Sequence, residues 1–130
     1  MIEEALRTKV LSDSDVTDAI GQRLYIKKLP ENPTYPAVTY SKISGPRHHD
    51  VDVAYPRFQF DVWTDATTED SYKKARDVAT KIRKALQRES GDWSGVRVIQ
   101  AVFLNEMDDY EPDTKLYHYI SEFKIIHRGE

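Results

Sequence analysis

One stretch constrains this chain more than any other: Pro56 to Leu86, PRFQFDVWTDATTEDSYKKARDVATKIRKAL. From Arg57 to Trp63 the residues alternate, with Phe58, Phe60 and Val62 on one side and Arg57, Gln59, Asp61 and Trp63 on the other. Successive side chains of a strand point to opposite faces, so the first set belongs in a core. A polar turn follows. Tyr72, Ala75, Val78, Ala79, Ile82, Ala85 and Leu86 then fall on one arc at about 100° per residue, the signature of an amphipathic helix. Every charged residue of that helix lies on the opposite arc. Thr67 or Thr68 is expected to cap it, Glu69 and Asp70 to sit at its positive end, and Gly91 to end it, giving a helix over 69–88.

The remaining segments read as partners for this unit. Ile2, Leu6 and Val10 recur at helical spacing, and Ser12-Asp13-Ser14-Asp15 offers caps for a short second helix carrying Val16, Ala19 and Ile20. Gly21 suits its C-terminal stop. Strands are expected at Leu24–Leu29 and Ala37–Ser44, separated by a loop with Pro30, Pro33 and Pro36. Arg47 to Pro56 reads as a long polar loop in which Val51 and Val53 are placed to extend a strand. Val96 to Leu104 is apolar on both faces, which predicts a strand buried on two sides, by a helix and by a neighbouring subunit. Glu106 to Asp113 reads as an acidic hairpin loop leading to a last strand, Leu116 to His127. The predicted fold is a single α+β domain over 1–130 in the order α-β-β-β-α-β-β, a mainly antiparallel sheet with the helices packed on one face.

Composition narrows the function classes. With 130 residues, 39% of them apolar, the chain has enough for one core. There is no cysteine, which removes disulfides, zinc ribbons and thiol catalysis. A net charge of −3 selects no partner. The opening MIEEALRTKV is acidic at once, so a secretory signal is not expected there. No window approaches the roughly 18 apolar residues of a membrane-spanning helix.

The helix carries Lys73, Lys74, Arg76, Lys81, Arg83, Lys84 and Arg88 outside, a surface for an acidic neighbour or for DNA phosphates if it is more than solvated. Glu106, Asp108, Asp109 and Glu111 form an acidic counterpart without the EF-hand pattern. Unlike patches displaced on one surface suit a head-to-tail ring. His48-His49-Asp50 with Asp52 has metal-ligand chemistry; neighbouring histidines on a strand point apart and on a flexible loop would share an ion only weakly, so a polar loop and no metal is expected. No GxSxG, P-loop, GxGxxG or HExxH occurs, and His118 and His127 read as structural histidines on opposite faces. The expectation is no enzyme and no cofactor. Trp63, pointing away from the core set, is the leading single interface residue.

The order of short motifs carries a resemblance. Gly21-Gln22-Arg23-Leu24-Tyr25 follows two short helices, and Pro36-Ala37-Val38-Thr39-Tyr40 follows the proline loop. Phe58-Gln59-Phe60-Asp61-Val62-Trp63, the helix with Ala75, Ala79, Ile82, Arg83 and Leu86, and Tyr117, Tyr119 and Phe123 complete the series. The chain thereby resembles the phage tail-completion proteins, also called tail terminators or tail-to-head joining proteins. The resemblance implies a virion or prophage structural protein that assembles as a homo-oligomeric ring, commonly a hexamer, at the head-proximal end of a tail. Such a ring ends tail-tube growth, meets the tail-tube protein on one side and the head-completion or connector protein on the other, and lets DNA pass through its lumen. It implies assembly in the host cytoplasm, no membrane contact and no catalytic residue. The Arg47–Pro56 loop has no counterpart in the family's pattern. Two rival readings are a small nucleic-acid-binding module using the basic face of helix 69–88 and a metal-dependent enzyme using His48 and His49.

Overall fold

The computed structural model describes residues 1–67 and 70–129. Helix α1 (Ile2–Leu11) buries Ile2, Ala5, Leu6 and Val10, its predicted stripe. Helix α2 (Ser14–Ile20) is capped by Asp13, whose Oδ1 accepts from the Asp15 and Val16 amides at 2.9 and 3.3 Å. Gly21 ends it at φ 59°, a conformation that costs glycine little.

Seven strands form one sheet in the order β1-β2-β4-β7-β6-β5, with β3 paired to β7 beside the end of β4. They are β1 (Leu24–Ile26), β2 (Ala37–Ser44), β3 (Val53–Ala54), β4 (Arg57–Asp65), β5 (Gly91–Trp93), β6 (Val96–Glu111) and β7 (Leu116–Arg128). Among the described residues only β1 and β2 run parallel; the other pairs are antiparallel. The predicted α+β class and element order hold, with β3 and β5 as additional short strands.

β4 has the predicted phase: Phe58, Phe60, Val62 and Thr64 are buried and the intervening residues half-buried. Helix α3 (Ser71–Leu86) lies over this face with Ala75, Val78, Ala79, Ile82, Ala85 and Leu86 buried. Three alanines in the stripe let its backbone come close to the sheet. Phe60 stacks on Tyr40 at 5.7 Å and meets Phe123 edge-on at 5.6 Å, and Phe103 also packs edge-on against Phe123 at 5.5 Å.

Several boundaries differ from expectation, each for a local reason. β1 stops at Ile26 because Lys27 takes φ 68° and the Lys28 amide folds back onto the Ile26 carbonyl. Within the Arg47–Pro56 loop Val53 does extend a strand: Val53 and Ala54 pair with Arg128 and His127 of β7. The ladder falters at Pro56, which has no N–H to give, although its carbonyl still accepts from the Ile125 amide at 2.9 Å. Val51 stays outside any strand and is exposed. α3 spans 71–86 rather than 69–88. Thr67 does not cap it; the Thr67 amide donates to Asp65 Oδ1 in the preceding turn. Thr68 and Glu69 lie outside the described residues. Asp70 occupies the cap position, with no capping bond from its side chain. At the far end the chain turns at Arg88, φ 67°, whose amide reaches the Ala101 carbonyl, and Gly91 opens β5 instead of ending the helix. Tyr72, expected inside, is 37% exposed at the helix start.

Burial of β6 by a helix and by a neighbouring subunit is expected, and within the single chain Val96, Val98 and Ala101 are buried. Register shifts between Val98 and Gln100 and between Phe103 and Asn105 each insert a residue. The inserted positions put Ile99 and Leu104 outside at 44% and 38% exposure, so within the single chain a continuous apolar run serves a one-sided strand. The acidic segment is likewise strand, not loop. β6 continues to Glu111, paired with β7 down to Leu116, and only residues 112–115 turn.

Candidate assembly surface

Register across four strands builds the helix-free face of the sheet. Ala37, Trp63, His118 and Asp109 lie side by side on β2, β4, β7 and β6. Trp63 is half-buried there and stacks on His118 at 4.5 Å, 3° from parallel. Its indole Nε1–H donates to Thr39 Oγ1 at 3.0 Å. His118 has Nδ1 at 3.3 Å from Asp61 Oδ2 and Nε2 at 3.5 Å from Asp109 Oδ2. Gln59 donates to Asp61 Oδ1 at 2.8 Å, and Arg57 to Glu122 Oε2 at 2.8 Å. Trp63 is therefore on the predicted face, but much of it is engaged within the chain. Thr39, Asp61 and His118 were not singled out for this site. Parity put His118 and His127 on opposite faces, and the structure agrees: His127 is buried, 2% exposed.

The seven basic residues of the α3 region divide into two groups. Lys73, Lys74, Arg76, Lys84 and Arg88 are exposed. Lys81 pairs with Asp77 at 3.1 Å, while Arg83 lies 5.8 Å over the Phe103 ring and donates to Gln87. The start of α3 is fastened to β4 by Thr64, whose hydroxyl donates to the Ser71 carbonyl, and by Ser71, whose hydroxyl donates to the Asp65 carbonyl.

The acidic residues occupy both faces of the β6–β7 arm. Glu106 and Asp108 share the helix side with Ser121 and Tyr119, while Asp109 and Glu111 lie on the other with His118 and Leu116. Asp108 accepts from the Tyr72 hydroxyl at 2.8 Å, and that bond is the main cause of an upward shift of the Tyr72 pKa. Burial, followed by the Glu106 charge and hydrogen bond, raises the Tyr119 pKa.

His48, His49 and Asp50 do come together. Their donor atoms lie within 4.8 Å of one another on an exposed loop, with the imidazoles stacked at 5.5 Å. They lie outside any strand, on the expected polar loop, where neighbouring histidines are free to face the same way. His48 Nδ1 already accepts from the Asp50 amide at 3.1 Å. Asp52 stands apart, holding Arg47 at 2.8 Å and the Gly129 amide at 3.1 Å.

The fold and this surface define a small α+β domain whose exposed charge is sorted onto separate elements. The chain belongs to the phage tail-completion family: the model for tail completion protein gp17 matches residues 4–128. The family is one of phage tail structural proteins. No curated protein matches. Among solved structures, a chain from a "Virion of native gene transfer agent (GTA) particle" is similar in fold, with TM-score 0.78 and 17% identity over 97% of this chain and 93% of that one.

Proposed function

We propose that this chain closes into a homo-oligomeric ring, a hexamer, at the head-proximal end of a phage tail. There it stops tail-tube polymerisation and presents the surface to which the head connector joins. The role is structural and not catalytic. One observation carries the reading: family membership over residues 4–128, nearly the whole chain. The fold supports it, since exposed basic residues lie on α3 and acidic ones on the β6–β7 arm, a distribution that lets unlike patches of successive copies meet. Assembly takes place in the host cytoplasm, and the genome passes through the ring without sequence-specific contacts. Light scattering and negative-stain imaging, on the chain alone and mixed with tail-tube protein, test this. Rings under either condition are expected. A chain that stays monomeric in both and leaves tube length unchanged overturns the reading.

A further inference from the structure

The sheet has one long edge that this chain leaves open. β6 is paired with β7 along its length, but on its other side β5 covers only Val96 to Val98. The Arg88–Glu89 segment then covers Ala101, through the Arg88 amide to the Ala101 carbonyl at 3.0 Å and the Ala101 amide to the Glu89 carbonyl at 2.9 Å. Beyond Ala101, among the described residues, no strand pairs with that side of β6. An open edge is a template for another chain, and proteins ordinarily keep such edges short or covered. This one runs from Val102 to Glu111 and exposes Leu104 at 38%, Met107 at 46% and Tyr110 at 41%.

Charge selects the occupant. Glu106, Asp108, Asp109 and Glu111 all lie on this stretch. A second β6 laid against it would set like charges opposite one another, which is destabilising. A basic segment meets the opposite situation, and the chain has one on the far edge of the same sheet. There β1 exposes Ile26 at 50%, followed by the exposed Lys27 and Lys28. β1 is itself blunted as a template, because Arg7 Nε holds the Leu24 carbonyl at 2.9 Å and the Lys28 amide holds the Ile26 carbonyl. It therefore contributes mainly side chains.

We infer that the open β6 edge of one copy receives the Ile26–Lys28 segment of a second copy, acid against base, with Ile26 packed on Tyr110. The inference rests on the ring reading above and names the contact that would build the ring. Four strand spacings of about 4.8 Å put the two edges roughly 19 Å apart, so they cannot satisfy each other within one chain. Each copy instead offers one edge forward and one back, a heterologous contact that closes when the rotation allows.

The chain has no cysteine, so single cysteines report contacts directly. Ile26 shares the helix-side face with Leu24, and Glu106, Asp108 and Tyr110 share the corresponding face on β6. Ile26→Cys is mixed in turn with Glu106→Cys, Asp108→Cys and Tyr110→Cys under oxidising conditions. At least one mixture is expected to give a disulfide-linked dimer that neither partner gives alone. As a second measurement, Lys27→Glu with Lys28→Glu, and Asp108→Lys with Asp109→Lys, are each expected to abolish assembly while circular dichroism stays native. All four changes in one chain are expected to restore it. If the unmodified chain forms rings while no mixture cross-links and neither reversal weakens assembly, this contact is wrong and the ring stands. Self-cross-linking of the β6 variants alone overturns it in favour of a two-fold contact. Loss of tube binding with intact rings in the Asp108/Asp109 variant assigns the edge to the tail tube and also overturns it. If the unmodified chain forms no ring alone or with tail-tube protein, the ring reading itself falls.

Discussion

The Trp63 indole and the His118 imidazole lie face to face, 4.5 Å between centroids and 3° from parallel, joining neighbouring strands on the helix-free side of the sheet. The stack is anchored by the bond from Trp63 to Thr39 and by Asp61 beside His118. Trp63→Ala removes the ring and leaves the Thr39 hydroxyl and the His118 face open to water. We expect a loss of about 2–4 kcal/mol, most of it from lost packing. Urea unfolding followed by circular dichroism measures it. A loss below about 0.5 kcal/mol, the level of an ordinary surface change, would show that Trp63 is a free surface residue.

Phe60 sits at the centre of the ring cluster, fully buried between Tyr40 and Phe123. Phe60→Ala is expected to cost about 3–5 kcal/mol, and Phe60→Leu distinctly less because more volume is retained. Denaturant midpoints for the two variants should rank in that order. Equal midpoints would mean that the site collapses around the deletion.

Reversing Lys81 and Lys84 together should leave the fold intact. Lys84 is exposed, and Lys81 makes a surface pair with Asp77 that is worth about 0.3–0.5 kcal/mol. The expected total loss is below about 1 kcal/mol, including the new repulsion at Asp77. Far-UV circular dichroism and a thermal melt check the fold, and ring yield checks assembly. Unfolding would contradict the orientation of α3. A folded variant that assembles normally would mean that this part of the basic face is only solvated.

Alkali should weaken the fold through Tyr119 and Tyr72. Burial, then Glu106, raises the first pKa, and the bond to Asp108 raises the second. Both phenols are kept neutral by the native state. Their contribution is fully present below the unfolded-state pKa, about 10, and is lost as pH rises through the raised folded-state values. Thermal melts from pH 8 to 12 should show stability falling above about pH 10. Tyr119→Phe should flatten that fall, and an unchanged slope would remove Tyr119 from the account.

What could be read from the sequence follows from how local the signal is. The phase of β4 and the stripe of α3 are written in consecutive residues, and Phe58 to Leu86 places both. β3 and β5 are too short to carry a pattern of their own. Their strand character comes from partners, Arg128 and His127 in one case and Val96 to Val98 in the other. β6 is harder to read because its two bulges reset the alternation, so residues that look like a second buried face are the displaced ones. The set of Trp63, His118, Asp61 and Asp109 needs the register of three strands at once, and no spacing within one segment reveals it. Sorting of charge was legible, but the division of the basic residues was not, because Arg83 is claimed by Phe103 across the helix–strand contact.

β7 stands last among the elements in chain order yet sits in the interior of the sheet, with β6 on one side and β4 and β3 on the other. During synthesis, β1, β2 and β4 are complete while the inner edge of β4 has nothing to pair with, and β6 emerges with only three-residue β5 beside it. The facing edges of β4 and β6 therefore have no ladder partner until Leu116–Arg128 has been made, and an edge in that state is open to pairing with another copy.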